Sequence, residues 1–282
     1  MANTISSGLK FRWLNGQSFE FRFSNGKTLI TDPWFLDDGS RMAKKCVPGF
    51  SMDEIDACDY VFVNHGHGDH TAHLQQVVDK FHPTVMTHSA VCMELARTFQ
   101  IPLTSIYPLD FEGTYYFDGF ILETHHGTHH HLKEDYRQCI EHVTKAQMPG
   151  SPDLNAFGGM FNMNFVLTTQ EGLRIAFIGG NDDGMIQRLR GKNKPNVIIR
   201  NKMASSAVKD NVAEDFANWF AATDTQLLVP MHYETWLTED PAFAGKMLSD
   251  MNRILNEKGC TGRVAAMQRG KWYSLDLSIL AE

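Results

Sequence analysis

The sequence predicts an α/β protein, and three observations carry that prediction. Apolar runs typical of strands alternate with helix-like segments along most of the 282 residues. The pattern falls into two halves, and each half is rich in strands and also contains helices. In both halves, histidines follow directly after a predicted strand. Loops at strand ends are where a rigid scaffold presents chemically active side chains, so the pattern also indicates a functional site.

The first half opens with strand signals. Residues 9–14 and 19–23 alternate apolar and polar side chains, as half-buried strands do. Asn25-Gly26 predicts a two-residue hairpin turn. Asp32-Pro33 ends the following strand, because proline cannot donate to a β-ladder. The layered order then continues with a buried strand at 59–64, a helix at 71–81, a strand at 83–88 and a helix at 89–99.

The second half begins with strand-like residues 113–124 and a second run of histidines. Residues 130–160 are polar and contain Pro149, Gly150 and Pro152, which favours a lid over core structure. The chain is expected to finish with a hairpin at 163–169 and 173–180, strands at 195–200 and 225–232, helices at 209–221 and 241–258, and closing strands at 262–267 and 271–277. We therefore predict one domain over residues 1–282, with a lid insertion at 130–160.

Composition narrows the class of protein. Hydrophobic residues make up 43% of the chain, which is enough for a core of normal size. The net charge of −7 disfavours nucleic acid as a partner. No apolar run approaches the ~20 residues that cross a bilayer. The N-terminal residues lack the pattern of a signal peptide, and the five cysteines are scattered, as in a reducing compartment. These features predict a cytoplasmic protein that binds neither nucleic acid nor membrane.

The stretch VFVNHGHGDHTAH, residues 61–73, is the strongest single feature of the chain. Directly after a buried strand, it places four groups able to bind Zn²⁺, Fe or Mn²⁺: His65, His67, Asp69 and His70. The intervening glycines permit a tight turn that directs these groups towards one point. Such crowding offers no structural benefit, since an unpaired buried charge costs several kcal/mol. The stretch therefore predicts a metal site.

The HxHxDH run at 65–70 resembles the signature of the metallo-β-lactamase fold, in the strand–loop–helix setting of that fold. LITDPW at 29–34 and VPMHYETW at 229–236 resemble the early and late motifs of one subgroup, the metal-dependent hydrolases similar to ascorbate-6-phosphate lactonase. The resemblance covers nearly the whole chain. It implies a four-layer αββα sandwich with metal ions at one edge of the sheets. The implied cofactor is one or two Zn²⁺ ions, with Mn²⁺ or Fe as alternatives.

The resemblance also implies which residues are ligands. It implies that His65 and His67 bind a first metal ion. Asp69, His70 and His232 would bind a second. The first ion needs one more histidine, from the second run. Counting from Gly119 at the start of the preceding strand, the family's ligand falls at His129, and His126 and His125 stay open as alternatives.

One stretch departs from the family pattern. The family has Gly-Asp-Thr after the corresponding strand, and its Asp bridges the two metal ions. Here the stretch is IAFIGGNDDG, which places Gly180 at the Asp position. Asp182 is the expected substitute ligand if the turn is longer, whereas Asp183 more naturally caps the helix that follows. The alternative is a single well-bound ion or an asymmetric pair.

The function implied by the resemblance is that of a metal-dependent hydrolase. A metal-bound hydroxide would attack the substrate, and Asp69 would hold and deprotonate the water. The substrate would be a small ester, a lactone or a phosphorylated metabolite. Two alternative functions are a phosphodiesterase or nuclease, and a metal-dependent ligand-binding protein that does not hydrolyse.

Further residues carry secondary expectations. A local basic stretch consists of Lys192, Lys194, Arg200 and Lys202. It could attract an anionic small-molecule substrate, although such a stretch is also typical of a solvated surface. Asp32 is expected to accept from a ligand histidine or to cap its turn. His73 is expected to be exposed or to support a ligand, and Tyr233 to line the pocket or shield it. A homo-oligomer is compatible with the sequence.

Overall fold

The structure is a computed structural model, and it describes residues 8–35, 50–127, 161–179, 184–201, 211–233 and 241–275. Within these residues the strands form two seven-stranded sheets. The lid expected at 130–160 falls in the range 128–160, which lies outside the described residues. That lid, and a single domain over 1–282, stay predictions. None of the described helices is long and apolar enough to cross a membrane.

The first sheet holds most of the N-terminal half of the chain and has the strand order β14-β1-β2-β3-β4-β5-β6. Its strands are β1 (Leu9–Asn15), β2 (Ser18–Arg22), β3 (Thr28–Thr31), β4 (Tyr60–Phe62), β5 (Thr84–His88), β6 (Ile106–Leu109) and β14 (Tyr273–Leu275). The pairs among β14, β1, β2 and β3 are antiparallel, and those from β3 to β6 are parallel. The carboxyl ends of β3, β4 and β5 therefore meet at one edge.

The second sheet repeats this plan with the order β13-β12-β11-β10-β9-β8-β7. Its strands are β7 (Thr114–Phe117), β8 (Phe120–His126), β9 (Met163–Thr169), β10 (Arg174–Ile178), β11 (Val197–Asn201), β12 (Leu227–Met231) and β13 (Arg263–Val264). The pairs from β7 to β10 are antiparallel, and those from β10 to β13 are parallel. The carboxyl ends of β10, β11 and β12 thus share an edge as well.

The helices flank the sheets: α1 (Gly68–Thr71), α2 (Leu74–Phe81), α3 (Cys92–Thr98), α4 (Met185–Arg188), α5 (Val212–Ala221) and α6 (Pro241–Glu257). Helices α2 and α3 pack on the first sheet through Leu74, Val77 and Leu95, which share a buried cluster with Val61 and Val63. Helix α5 packs on the second sheet, where the aromatic rings of α5 cover β11.

The space between the sheets is filled largely by phenylalanine. Phe62 of β4 contacts Phe165 of β9 with ring centroids 4.4 Å apart. Phe165 in turn stacks on Phe177 of β10 at 4.8 Å, and Phe19 of β2 meets Phe177 edge-on at 5.8 Å. Strand β4 is apolar throughout because it is buried on both faces, with Phe62 towards the second sheet and Val61 towards the helices. The predicted four-layer αββα sandwich is confirmed.

Three sequence predictions about this part of the chain were wrong. The helix expected from residue 71 starts earlier, at Gly68, and is split into α1 and α2. The split falls at His73, whose N–H bonds to Pro33 O at 2.8 Å instead of continuing α1. The strand expected at 262–267 is reduced to Arg263–Val264. Arg200, expected in a basic surface stretch, is fully buried, and its guanidinium lies 4.3 Å from the ring centre of Trp219.

Candidate metal centre

The predicted ligands meet where the parallel edges of the two sheets come together. Asp32 follows β3 directly, His65 lies three residues after the last residue of β4, and His232 follows β12 directly. The carboxyl ends of neighbouring parallel strands lie at the same edge of a sheet, which groups the first two of these residues. Packing of the two sheets face to face brings the third to them.

A short helix folds the second part of the HxHxDH run back onto the first. His70 N–H bonds to His67 O at 3.0 Å, and Ala72 N–H bonds to Gly68 O at 2.8 Å. Asp69 and His70 therefore occupy the first turn of α1, directly beside the residues that precede it. The ring centres of His65 and His70 are only 3.9 Å apart.

Three side chains converge from both sheets. His70 Nε2 lies 3.8 Å from Asp69 Oδ1, and His232 Nε2 lies 3.7 Å from Asp69 Oδ2. One ligand atom from each of the three residues lies within 4.8 Å of the others. Two ligand atoms of a tetrahedral Zn²⁺ with bonds of about 2.0–2.2 Å lie about 3.3–3.6 Å apart. The separations of 3.7 and 3.8 Å from Asp69 are slightly wider than this, so the three donors are placed where they could close on one ion.

The electrostatics of Asp69 suit the same role. Burial of the carboxyl raises its pKa. The neighbouring imidazoles of His70, His232 and His67 lower it by more, and the net pKa is about 2. The side chain is still 34% exposed, so it is reachable from solvent. A carboxylate that is ionised at neutral pH and accessible can serve both as a ligand and as a partner of water.

Asp32 supports His70 from behind. Its Oδ2 lies 3.2 Å from His70 Nδ1, and its Oδ1 accepts from the backbone N–H of Asn64 at 2.7 Å. Burial raises the pKa of Asp32, and the imidazole of His70 opposes that rise. A proton on His70 Nδ1 faces this carboxylate, which leaves Nε2 with the lone pair that a metal needs. Both roles expected for Asp32 are therefore present, as it supports a histidine and also ties its own turn to β4.

His65 and His67 form the other half of the run. His65 Nδ1 lies 2.7 Å from the side-chain oxygen of Asn64, and His65 Nε2 lies 3.0 Å from His67 Nδ1. The amide oxygen of Asn64 accepts a hydrogen bond from Nδ1–H, which leaves the lone pair of His65 on Nε2, the atom that faces His67. The two rings are close enough to bind one ion together.

His232 is held in an unusual backbone conformation. Its φ is +54°, in the left-handed region that disfavours residues with a Cβ. The turn between β1 and β2 keeps it there, since Gly16 O accepts from His232 N–H at 3.0 Å and from Trp13 Nε1 at 3.1 Å. A Cβ on Gly16 would lie 2.8 Å from the ring of Trp34 and 3.2 Å from His232 Cε1. The imidazole is thus packed directly against a glycine turn of the other sheet.

The same β1–β2 turn also reaches the end of β10. Gln17 Nε2 donates to Gly179 O at 3.0 Å, and Asn164 Oδ1 accepts from Gly179 N–H at 3.0 Å. Asn64 packs so closely that a Cβ on Gly179 would lie 2.7 Å from its Nδ2. These carboxamides anchor Gly179, the first residue of the GGNDDG stretch. Residues 180–183 lie outside the described residues, so the ligand role of Asp182 stays a prediction.

The second histidine run is placed only in part. Glu112 Oε2 lies 3.3 Å from His125 Nδ1 and 2.5 Å from Arg188 Nη1. His126 contacts the ring of Phe111 at 4.9 Å. Neither histidine belongs to the converging group found among the described residues. His129 lies outside the described residues, so its role as third ligand of the first ion stays a prediction.

Other expectations resolve clearly. His73 is buried and not exposed, and its ring stacks on Phe35 at 5.1 Å. Tyr233 is also buried, stacked on Trp13 at 4.6 Å, and its hydroxyl donates to Met267 O, so it shields the site and does not line it. Lys194 pairs with Asp224 at 2.9 Å. With Arg200 buried, these two residues give no support to a basic surface that attracts an anionic substrate.

Sequence reasoning missed the residues that hold the predicted ligands in place. Asn64, Gly16 and Gln17 all contact the site, and none was selected from the sequence. Two signals were available. Asn64 directly precedes the HxHxDH run, and Asn15-Gly16 is a hairpin dipeptide of the same type as the one recognised at Asn25-Gly26.

The fold and the site define a metal-dependent hydrolase of the metallo-β-lactamase type. The chain belongs to the family described as the beta-lactamase superfamily domain, whose sequence model matches residues 10–232.

Relatives of known name agree with this assignment. A UPF0173 metal-dependent hydrolase of Geobacillus sp. is 25% identical over 244 residues, which cover 82% of this chain and 90% of that protein. A UPF0173 metal-dependent hydrolase of Solibacter usitatus is 31% identical over 78 residues, so this chain spans only 30% of its length. Igni18, a metallo hydrolase of Ignicoccus hospitalis, matches in structure with a TM-score of 0.65 at 13% identity, covering 96% of this chain and 99% of that chain.

Proposed function

We propose that this protein hydrolyses a small ester, lactone or phosphorylated metabolite at a metal centre built from both sheets. Asp69, His70 and His232 would hold one ion, and His65 and His67 would contribute to a second. The single observation that carries the proposal is the convergence of the first three residues, with ligand atoms within 4.8 Å of one another. A donor set of imidazoles and one carboxylate favours Zn²⁺, with Mn²⁺ or Fe as alternatives.

When bound, the metal lowers the pKa of water to about 7 and polarises the bond under attack. The chain supplies the remaining chemistry. Asp69 is ionised at neutral pH and accessible, so its carboxylate can orient a water molecule and accept its proton. Asp32 keeps the proton of His70 on Nδ1 and holds the imidazole in one orientation. Because Gly16 and Trp34 pack against His232, that ring is held in place before substrate arrives.

The proposed substrate class is based on the metal site, because the surface charge of the described residues gives little support to any class. The described part of the basic stretch does not favour an anion, since Arg200 is buried and Lys194 is paired. The net charge of −7 disfavours nucleic acid. Small esters, lactones and phosphate esters therefore stand ahead of polymeric phosphodiesters, and we place the protein in the cytoplasm.

The test combines metal analysis with a substrate panel. Purified protein is analysed for bound Zn, Mn and Fe, and then assayed on esters, lactones, phosphomonoesters and phosphodiesters. We expect at least one bound ion per chain and turnover of one of the first three classes. In His67→Ala, bound metal should fall to well under half, because one of the two imidazoles beside the HxH turn is lost.

The matched control is His82→Asn, which changes an exposed histidine at the end of α2. Asparagine tolerates the positive φ of 51° at this position, so metal content should stay at the parent level. Unchanged metal in His67→Ala would remove the proposed ligand set. Bound metal with no turnover on the whole panel would contradict hydrolysis and favour a ligand-binding role.

A further inference from the structure

We propose that a cluster of four rings beside the metal centre forms a binding subsite for a planar, uncharged group of the substrate, most simply an aromatic ring. The cluster, called the ring cluster below, consists of His88, Phe111, His126 and Phe161. This inference rests on the proposed function, because it assigns the part of the substrate that lies next to the scissile bond.

The ring cluster is assembled from four separate segments of the chain. His88 ends β5, Phe111 follows β6, His126 ends β8, and Phe161 precedes β9. His88 stacks on Phe161 with ring centres 4.6 Å apart and an interplanar angle of 23°. Phe111 lies 4.4 Å from His88 on one side and 4.9 Å from His126 on the other. The rings therefore form one continuous surface across the gap between the two sheets.

Strand register places this surface next to the HxHxDH run. Val63 N–H bonds to Met86 O at 2.9 Å, and Thr87 Oγ1 donates to Val63 O at 3.2 Å. The next residue on each strand brings Asn64 beside His88, at a strand spacing of about 4.8 Å. The ring cluster therefore borders the side of the metal centre that carries His65.

The second sheet closes the same side. Asn64 O accepts from Met163 N–H at 3.3 Å, and Met163 is the register partner of His126. Asn64 thus lies between the two strand ends that carry the histidines of the ring cluster. A substrate held at the metal centre has this surface as its neighbour on both sheets.

The chemistry of the surface favours an uncharged planar group. His88 Nδ1 accepts from Ala90 N–H at 3.2 Å, so the proton of the neutral imidazole sits on Nε2. Burial lowers the pKa of His88, Asp110 opposes that effect, and the nearby His126 adds to it. The ring is consequently neutral at pH 7 and forms the uncharged base of the cluster, behind the half-buried rings of Phe111 and Phe161. Flat groups stack on such rings with centres about 4.5–7 Å apart.

Exposure and charge distinguish the ring cluster from plain core. His88 is only 8% exposed, but Phe111 and Phe161 are half-buried and His126 is exposed. The surface is therefore rigid at its base and open to solvent at its rim. Two acidic residues of the β6–β7 connection flank Phe111, and both have a partner: Asp110 Oδ1 accepts from Ser89 Oγ at 2.5 Å, and Glu112 Oε2 pairs with Arg188 at 2.5 Å. An uncharged ligand meets neither an unpaired carboxylate nor a free cation on this connection.

The test uses two phosphonates that share one anchor. Benzylphosphonate and methylphosphonate both offer a phosphonate to the metal, and only the first carries a ring. Their dissociation constants are measured by titration calorimetry on the zinc-loaded full chain. We expect benzylphosphonate to bind about tenfold more tightly, as burial of one phenyl ring against aromatic faces predicts.

The double variant Phe111→Leu/Phe161→Leu keeps apolar bulk and removes the two phenyl faces. It should bring the ratio of the two dissociation constants close to one while bound zinc stays unchanged. The matched control is Tyr116→Leu, which changes a 77% exposed ring on β7 that is no part of the cluster. The control should keep the parent ratio.

Equal affinity for both phosphonates in the parent, or an unchanged ratio in the double variant, would overturn the subsite. The proposed function is judged separately by turnover on the substrate panel. Preference for benzylphosphonate that depends on the two phenyl rings, without any turnover, would keep the subsite and reject hydrolysis. Turnover with equal affinities for the two phosphonates would keep hydrolysis and reject the subsite.

Discussion

The two sheets contribute to the candidate metal centre in different ways. The first sheet supplies a run of neighbours, from His65 to His70, that a single helical turn folds together. Among the described residues of the converging group, the second sheet supplies one, His232. The first contribution is organised by local chain geometry. The second depends on contacts between residues that are distant in sequence.

The β1–β2 turn shows where that dependence lies. Gly16 O holds the backbone of His232, and Gln17 holds the backbone of Gly179 at the end of β10. One turn of the first sheet thus positions two strand ends of the second. The lesson is that a ligand can be recognised by its residue type while the residues that position it belong to another part of the sequence. The predictions below test each side of this division.

The largest effect is expected on the first sheet, at Asp69. Asp69→Asn keeps the shape of the side chain but cannot accept a proton from water, so activity should fall about a hundredfold or more. The melting temperature should stay within a few degrees, since the side chain is 34% exposed. Kinetics on the best panel substrate and thermal melting measure both. Asp79→Asn, on α2, is the control, and near-parent activity of Asp69→Asn would refute the catalytic role.

The next effect concerns the support of a first-sheet ligand. Asp32→Asn removes the negative charge behind His70 Nδ1, and zinc affinity should fall about tenfold to a hundredfold, as for other supporting carboxylates. Competition with a chromophoric chelator measures the affinity, and melting of the zinc-free protein reports separately on folding.

A matched control lies at the other end of the same strand pair. Asp59 Oδ2 accepts from Thr28 N–H at 2.9 Å, much as Asp32 Oδ1 accepts from Asn64 N–H at 2.7 Å. Asp59→Asn should therefore weaken the β3–β4 connection without changing zinc affinity. Equal zinc affinities in the two variants would mean that Asp32 acts only on the fold.

A smaller effect is expected from the turn that positions the second-sheet ligand. In Gly16→Ala the new Cβ would press on Trp34 and on His232 Cε1, so zinc affinity should fall about tenfold. Gly26→Ala is the control, because that hairpin glycine also has a positive φ but has no atom within 4 Å of an added Cβ. It should lose about 1 kcal/mol of folding free energy, and its zinc affinity should not change. Identical zinc affinities would show that the turn does not position His232.

The smallest expected change concerns residues 182 and 183, outside the described residues. Asp182→Ala should lower the amount of metal bound per chain, at most by half, because one ion of a pair loses its bridging carboxylate. Asp183→Ala should bind as much metal as the parent. Metal stoichiometry of the two variants, purified side by side, decides the matter. Parent stoichiometry with retained activity in Asp182→Ala would exclude this residue as a ligand.

Much of the architecture was predictable from local pattern. The apolar run at 59–64 predicted β4 because both faces of that strand are buried. The Asn25-Gly26 dipeptide predicted the hairpin between β2 and β3, but its length was wrong, because Phe23 N–H bonds to Lys27 O across a loop of three residues, 24–26. The helix at 71–81 was predicted to start three residues too late and to run without a break. The break between α1 and α2 falls at His73, whose N–H bonds to Pro33 O, and no local pattern in residues 61–73 reveals that contact.

Burial of charge was less predictable. Arg200 follows two isoleucines in β11 and lies near several lysines, so the sequence alone favoured a basic surface. In the fold, the aromatic rings of α5 cover it, with Trp219 at 4.3 Å and Phe216 at 4.8 Å. A guanidinium can be buried when aromatic faces receive it, and that depends on which helix packs on the strand.

The sequence by itself determined the chemistry of the site and the strand–loop–helix unit that carries it. Residue type decides which atoms can bind a metal, and short-range periodicity decides which faces are buried. Only the tertiary structure decided that β14 joins the first sheet beside β1 and that the turn at Gly16 reaches His232. Such contacts join residues far apart in the chain. They form because two sheets pack face to face over a shared apolar core. The periodicity of the sequence predicts that such a core forms, but it does not specify which strand ends will meet.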